Sequence, residues 1–158
     1  MSTRKIGHII LGFIISLAFV ILISKVEAQQ TIDMMSCGDR TVTPVVVSNE
    51  LTIRGVEKSG INIDNHTNKA FNNMTFHFVG LSKNASKQMT GTFYSKYMDP
   101  SGDLFVVEIS QIGMEVDWKF LYGTGKWKGI TGGGKASGNP PGEFDVCERI
   151  TGTYELKK

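Results

Sequence analysis

Residues 123–138 read GTGKWKGITGGGKASG, and the role of their glycines decides what kind of fold the chain can adopt. Residues 129–136 (GITGGGKA) come within one position of the nucleotide-binding pattern G-x-x-x-x-G-K-[ST]. However, Ala136 stands where that pattern needs a hydroxyl for Mg²⁺. Residues 137–142 (SGNPPG) cannot form the helix whose N-terminus would face a phosphate. We therefore interpret the segment as turns, including a sharp bend or bulge at 132–134, and expect no nucleotide and no cofactor.

Short runs of strand-forming residues, bounded by Gly, Asn, Asp or Ser, recur along the chain. In residues 116–122 (VDWKFLY), apolar positions 116, 118, 120 and 122 alternate with polar ones, as in a strand buried on one side. Residues 74–79 (MTFHFV) repeat the pattern, and residues 99–103 (DPSGD) form a strong turn signal. The predicted strands are 41–47, 51–56, 74–79, 89–94, 104–110, 116–122 and 150–156, with weaker candidates at 60–64 and 126–131.

Eight or nine short strands separated by turns are typical of an all-β sandwich or a closed barrel. Closure into a barrel removes the exposed edges that would otherwise pair with other chains. We therefore favour a single small antiparallel barrel of about eight strands, formed by residues 29–158.

Residues 1–28 have the composition of a cleavable signal peptide. Two basic residues precede an apolar run of 15 residues at 9–23, and Val26 and Ala28 are the small residues that a signal peptidase needs. A membrane-spanning helix needs about 20 apolar residues, so an uncleaved anchor is the less favoured alternative. The prediction is a secreted or periplasmic protein, with cleavage after Ala28.

The charge balance of the remaining chain argues against two classes of partner. Without residues 1–28, the chain has 14 basic and 14 acidic side chains and no basic cluster. Nucleic-acid binding depends on neutralising phosphates with clustered basic residues, so we expect no nucleic-acid partner. No second apolar span or basic amphipathic helix is present to hold the mature chain in a membrane. The oligomeric state stays open.

Cys37 and Cys147 are the only cysteines, and they stand near opposite ends of the mature chain. In an oxidising compartment such a pair usually forms one disulfide. Two unpaired thiols are the alternative. No His or further Cys lies close to either residue in the sequence, which argues against a metal site.

Three further segments resemble a known barrel superfamily. The strand 102–110 (GDLFVVEIS), the run 118–134 (WKFLYGTGKWKGITGGG) and the closing strand 149–158 (RITGTYELKK) resemble small secreted bacterial proteins of unassigned function. Their strand–Gly-Thr-Gly–aromatic–Gly pattern is similar to that of the allene oxide cyclase and dirigent barrels, over about residues 74–156. The resemblance implies a calycin-like, eight-stranded antiparallel barrel with a central cavity. It transfers no catalytic residue, because the matching glycines are scaffold residues.

The candidate ligand-binding residues are His77, Glu108, Trp118, Phe120 and Trp127. His77 alternates with phenylalanines and would face either solvent or the barrel lumen. Glu108 interrupts an apolar run, where a raised pKa would suit an acid or base, but a rim position that reaches solvent is the favoured interpretation. No Ser-His-Asp or Cys-His set can be assembled from local motifs, so no catalytic residue is predicted.

The leading hypothesis is a non-catalytic binding module for a small apolar or aromatic molecule. The aromatic residues expected to line its cavity are Phe76, Phe78, Phe105, Trp118, Phe120 and Trp127. A cavity-steered isomerase or cyclase is the first alternative, because such chemistry needs few charged groups. A structural protein with a filled barrel is the second.

Three N-x-[ST] triplets begin at Asn65, Asn73 and Asn84. They would matter only in a eukaryotic secretory route, whereas the resemblance points to a bacterium.

Overall fold

The computed structural model describes residues 29–48, 50–86, 88–138 and 145–157, so the predicted signal peptide lies outside the described residues. Each strand pairs antiparallel with the next one in sequence, and the last pairs with the first, which closes the barrel. This confirms the predicted all-β, eight-stranded antiparallel barrel. The strands are β1 Gln30–Val47, β2 Leu51–Asp64, β3 Thr75–Ala85, β4 Gln88–Met98, β5 Leu104–Ile112, β6 Glu115–Gly123, β7 Ile130–Gly138 and β8 Asp145–Leu156.

Two strands are longer than their sequence pattern predicts. The candidates 51–56 and 60–64 are one continuous strand, β2. The prediction divided it because two inward-facing positions in the middle hold Lys58 and a glycine instead of apolar residues. Strand β1 begins at Gln30, well before the predicted start at residue 41. The prediction missed its first part because the inward positions there include polar side chains such as Ser36. Charged and polar residues inside a barrel hide the alternation on which strand prediction depends.

The predicted strand 126–131 is wrong. Residues Gly125–Trp127 form a single 3₁₀ turn, and β7 begins only at Ile130. Contacts with the 99–103 turn hold this segment: the Trp127 indole donates to Asp99 (3.2 Å), the Lys126 backbone N–H donates to Asp103 (3.1 Å), and the Lys126 ammonium pairs with Asp99. The turn assignment for the first part of the glycine stretch is confirmed.

The glycines at 132–134 lie within β7 rather than at the expected sharp bend or bulge. A Cβ on Gly134 would collide with the carbonyl oxygen of Thr151, and one on Gly133 with that of Trp118. The missing side chains therefore let β6, β7 and β8 approach closely, which suits a tightly curved wall. The Trp118 ring covers Gly152 in this region, and its indole N–H points to the carbonyls of Lys135 (3.2 Å) and Thr151 (3.3 Å).

One end of the barrel is closed by an aromatic plug on the loop between β2 and β3. Phe71 stacks on Trp127, with ring centroids 5.1 Å apart, and meets Phe105 and Tyr154 edge-on. The buried carboxylate of Asp64 holds this loop by accepting the backbone N–H groups of His66 and Phe71, at 2.8 and 2.9 Å. The hydrophobic core is therefore concentrated at this end.

The predicted disulfide is confirmed. Cys37 and Cys147 are directly opposite each other in the register of β1 and β8, and their sulfurs are bonded. The bond lies on the outer face of the barrel, where Cys147 is exposed. No helix in the described part of the chain is long and apolar enough to cross a membrane.

Candidate functional site: the barrel cavity

The barrel encloses a cavity of about 190 Å³. It opens at the end opposite the aromatic plug, where β1 turns into β2, β3 into β4 and β5 into β6. Towards this end the lining side chains become exposed, as at Val42 and Met114. The cavity is therefore a pocket with one mouth, and an engineered cavity of about 150 Å³ is known to hold a benzene ring.

Apolar side chains form most of the cavity wall, and eight of them are aromatic. Phe78 stacks on Phe93 (centroids 4.9 Å apart), and Phe120 meets both Trp118 and Phe105 edge-on at 5.1 Å. These rings lie at alternate positions of neighbouring strands, so they all point inward. The aliphatic and aromatic lining residues are Ile32, Met34, Val42, Val56, Phe71, Phe76, Phe78, Met89, Phe93, Tyr97, Phe105, Val107, Ile109, Met114, Val116, Trp118, Phe120, Ala136 and Ile150.

A buried lysine interrupts this apolar wall. Lys58 is 2% exposed; its ammonium donates to the Ser36 carbonyl (3.2 Å) and lies 3.5 Å from a Glu148 carboxylate oxygen. The same ammonium lies 5.4 Å from the centre of the Phe76 ring. Burial lowers the pKa of Lys58, and the attraction of Glu148 opposes this shift.

A small polar network continues from Lys58 along the inner wall. The hydroxyl of Ser36 donates to Asn62 (2.6 Å), and the Asn62 amide contacts the sulfur of Met34 (3.4 Å). Burial raises the pKa of the neighbouring Tyr97 to about 12, while its side-chain hydrogen bonds with Ser95 and Ser36 act in the opposite direction. The Tyr97 phenol therefore stays neutral at physiological pH.

Two arginines line the cavity nearer its mouth. Arg40 is directly opposite Lys58 in the register of β1 and β2, and Arg54 lies further along β2 towards the open end. Neither guanidinium forms an ion pair with an acidic side chain among the described residues. The described lining therefore contains three cationic side chains and one carboxylate, that of Glu148.

The residues predicted from the sequence to form the site lie in three places: the cavity wall, the plug and the outer face of the barrel. Trp118 and Phe120 line the cavity, as do Phe76, Phe78 and Phe105. Trp127 is instead buried in the plug at the closed end, where its ring packs against Phe71. Whether the lining residues contact a ligand remains a prediction.

The lumen position considered for His77 is wrong. His77 lies on the outer face, 49% exposed, with its Nε2 atom 2.8 Å from a Glu57 carboxylate oxygen. Its neighbours Phe76 and Phe78 take the inward positions of β3, so the pleat directs the imidazole outward.

Glu108 also lies on the outer face, where it pairs with Lys119 at 2.7 Å. The inward positions of β5 are taken by Phe105, Val107 and Ile109. Position 122 departs from its pattern as well: a register shift between β5 and β6 leaves Tyr122 exposed instead of inward.

The sequence reasoning missed all four charged residues of the described lining: Arg40, Arg54, Lys58 and Glu148. A charged residue in a strand is normally read as solvent-facing, so these positions looked external. The inward position of Glu148 could have been predicted, because Glu148 is two residues before Ile150 and therefore lies on the same face of the strand.

Within the described residues, no group of three His, Cys, Asp or Glu side chains is placed to hold a metal ion. Comparison with known proteins found no matching family model, and neither a curated protein nor a solved structure shows significant similarity to the chain. The cavity itself is therefore the basis for assigning a function.

Proposed function

We propose that this protein is a secreted or periplasmic binding module that holds one small apolar or aromatic molecule inside its barrel. The observation that carries the proposal is the cavity, which has one sealed end, one mouth and a largely apolar wall that contains eight aromatic rings. Apolar lining with a few placed polar groups is the usual character of a small-molecule site. At about 190 Å³, the cavity suits a molecule built around one ring.

Two further observations support this proposal over the alternatives. The structural role with a filled barrel agrees poorly with the open cavity. His77 or Glu108 inside the lumen would have favoured the isomerase alternative, and both side chains are on the outer face. The disulfide supports an oxidising compartment, since such bonds are rare in the cytosol.

Native mass spectrometry of protein purified from its source compartment tests the proposal, with a co-purified small molecule as the expected result. A variant that fills the cavity sharpens the test. Ala136 lines the cavity near its mouth, so Ala136→Leu should expel the molecule. Its neighbour Ser137 points outward on the same strand, so Ser137→Leu is the matched control and should retain the molecule.

Absence of any bound molecule in the wild type, together with no binding of small aromatic compounds in titrations, would contradict the proposal. Equal occupancy in Ala136→Leu and Ser137→Leu would show that the molecule binds elsewhere.

A further inference from the structure

The cavity lining is cationic although the predicted mature chain is neutral. Arg40, Arg54 and Lys58 all point into the lumen from two adjacent strands, β1 and β2, whereas Glu148 is the one carboxylate among the described lining residues. Residues 29–158 contain equal numbers of basic and acidic side chains, so the positive charge is concentrated inside the barrel.

The three cations are arranged along the axis of the cavity. Lys58 is deepest and is already engaged by Glu148 and the Ser36 carbonyl. Arg40 is opposite Lys58, and its positive charge adds to the factors that lower the lysine pKa. Arg54 follows towards the mouth, where the half-buried Gln111 also contributes a side-chain amide. Donors therefore face the cavity at its open end, and aromatic rings face it deeper inside.

The charge of Arg40 already acts on Lys58 across the β1–β2 pair, and an anion in a pocket of reduced dielectric is attracted by such cations. Guanidinium groups have a planar fork of N–H donors that matches the two oxygens of a carboxylate or the oxygens of a sulfonate. A neutral apolar ligand offers these guanidinium groups no acceptor.

We infer that the molecule bound in this cavity is a small amphipathic anion, with its apolar ring among the inner aromatic side chains and its anionic group between Arg40 and Arg54. This inference rests on the proposed binding function. It narrows the ligand class to an organic monoanion with about one ring, such as an aryl-alkyl carboxylate.

A pair of isosteric probes separates this inference from the function on which it rests. Hydrocinnamate and its neutral amide, hydrocinnamamide, have the same shape and differ in charge. Isothermal titration calorimetry with the full mature chain should show binding of both, with hydrocinnamate about tenfold tighter, since a charge-assisted hydrogen bond contributes about 1.5 kcal/mol. In Arg40→Gln/Arg54→Gln, the amide should bind as before and the tenfold preference should disappear.

The matched control is Lys83→Gln/Lys96→Gln, which removes the same two charges from exposed positions on β3 and β4 and should keep the preference. Binding of neither probe would contradict the proposed function. Binding of both with equal affinity would overturn the anion inference and leave the function standing. A preference that survives in Arg40→Gln/Arg54→Gln would overturn the assignment to these arginines, with circular dichroism verifying that each variant is folded.

Discussion

The ammonium of Lys58 lies 3.5 Å from a carboxylate oxygen of Glu148 on the inner wall of the barrel, where the lysine is almost fully buried. Removing a charge from water is costly, and a single partner at this distance offsets only part of the cost. Burial accordingly lowers the pKa of Lys58. A buried ion pair of this kind adds little net stability, which agrees with a role in the cavity rather than in stability.

Lys58→Met should leave stability at pH 7 unchanged or raised, because an apolar side chain of similar length replaces a buried charge. The unfolded chain binds the Lys58 proton more strongly than the folded one, so wild-type stability rises with pH between the lowered folded pKa and the ordinary 10.5. Urea unfolding at a series of pH values from 7 up to 10.5 should therefore show wild type gaining stability relative to Lys58→Met. The raised pKa of Tyr97 is common to both proteins and cancels.

Glu148→Gln is the complementary change and should destabilise the protein by about 1 to 2 kcal/mol, because it leaves the buried ammonium without its counter-charge. The outer-face pair of Lys119 and Glu108 supplies the control. Glu108→Gln should cost less than about 0.5 kcal/mol, since solvent screens an exposed pair. A difference between Lys58→Met and wild type that does not change with pH would contradict the assigned titration.

Asp99 joins the two loops at the closed end of the barrel. Its carboxylate accepts the Trp127 indole N–H (3.2 Å) and the Ser101 amide (2.8 Å), and pairs with Lys126 at 2.8 Å. Burial alone would raise its pKa, but the contacts with Lys126, Ser101 and Trp127 outweigh burial and lower it well below the ordinary 3.8. Asp99→Asn should therefore destabilise the protein by about 2 to 3 kcal/mol at pH 7.

The advantage of wild type over Asp99→Asn should be complete above about pH 4 and should be lost as the pH falls through the folded pKa. Asp117→Asn is the control, because Asp117 pairs with Lys135 on the exposed outer face. Guanidinium chloride unfolding at pH 7 and pH 3 measures both effects. If Asp99→Asn and Asp117→Asn lose equal free energies of unfolding, the buried contacts of Asp99 add no stability beyond that of an exposed pair.

Phe71→Ala should be one of the most destabilising single changes. The ring is 2% exposed and packs against Trp127, Phe105 and Tyr154. Truncation of a buried phenylalanine costs about 3 to 5 kcal/mol. Leu81→Ala, at an exposed outer position, should cost less than about 0.5 kcal/mol by the same urea measurement. A small loss for Phe71→Ala would mean that this end of the barrel does not depend on the plug.

The strands with apolar alternation could be predicted from the sequence, and those with charged inward positions could not. The prediction of strand β6 is correct because Val116, Trp118 and Phe120 repeat with the period of a half-buried strand. Strand β2 is predicted in two pieces because Lys58 faces inward. The charged residues of the cavity were missed for the same reason. A sequence pattern places a charged residue of a strand in solvent, whereas these side chains face the cavity.

His77 shows the opposite error. A histidine between two phenylalanines attracts a functional interpretation, yet alternation alone places it opposite them. The plug could not be predicted either. Phe71 stands in a polar segment, and its partners Trp127 and Tyr154 come from distant strands and turns that meet only when the barrel closes.

Reduction of the Cys37–Cys147 disulfide should lower stability by about 4 to 5 kcal/mol in the chain-entropy model, because the bond closes a loop of 110 residues. Cys37→Ser/Cys147→Ser should reproduce the loss under oxidising conditions. The bond is on the outer face, so the affinity for a cavity ligand should not change once the variant is folded. Equal urea midpoints for oxidised and reduced protein would show that the closed strand pairing of β1 and β8 already supplies this stability.

Gly134→Ala tests the role assigned to the glycine stretch. The added Cβ would collide with the backbone carbonyl of Thr151, which β8 holds in place, so the strands must separate. Overpacking of this kind costs about 1 to 3 kcal/mol.

Gly55→Ala is the matched control, because this glycine is also in a strand. Its added Cβ would lie 3.7 Å from the nearest atom, the carbonyl oxygen of Thr43, which is ordinary contact. Urea unfolding should show a clear loss for Gly134→Ala and little or none for Gly55→Ala, and near-ultraviolet circular dichroism should report a changed Trp118 environment only in the first. If the two variants are equally stable, close approach of the strands does not explain the glycines in β7.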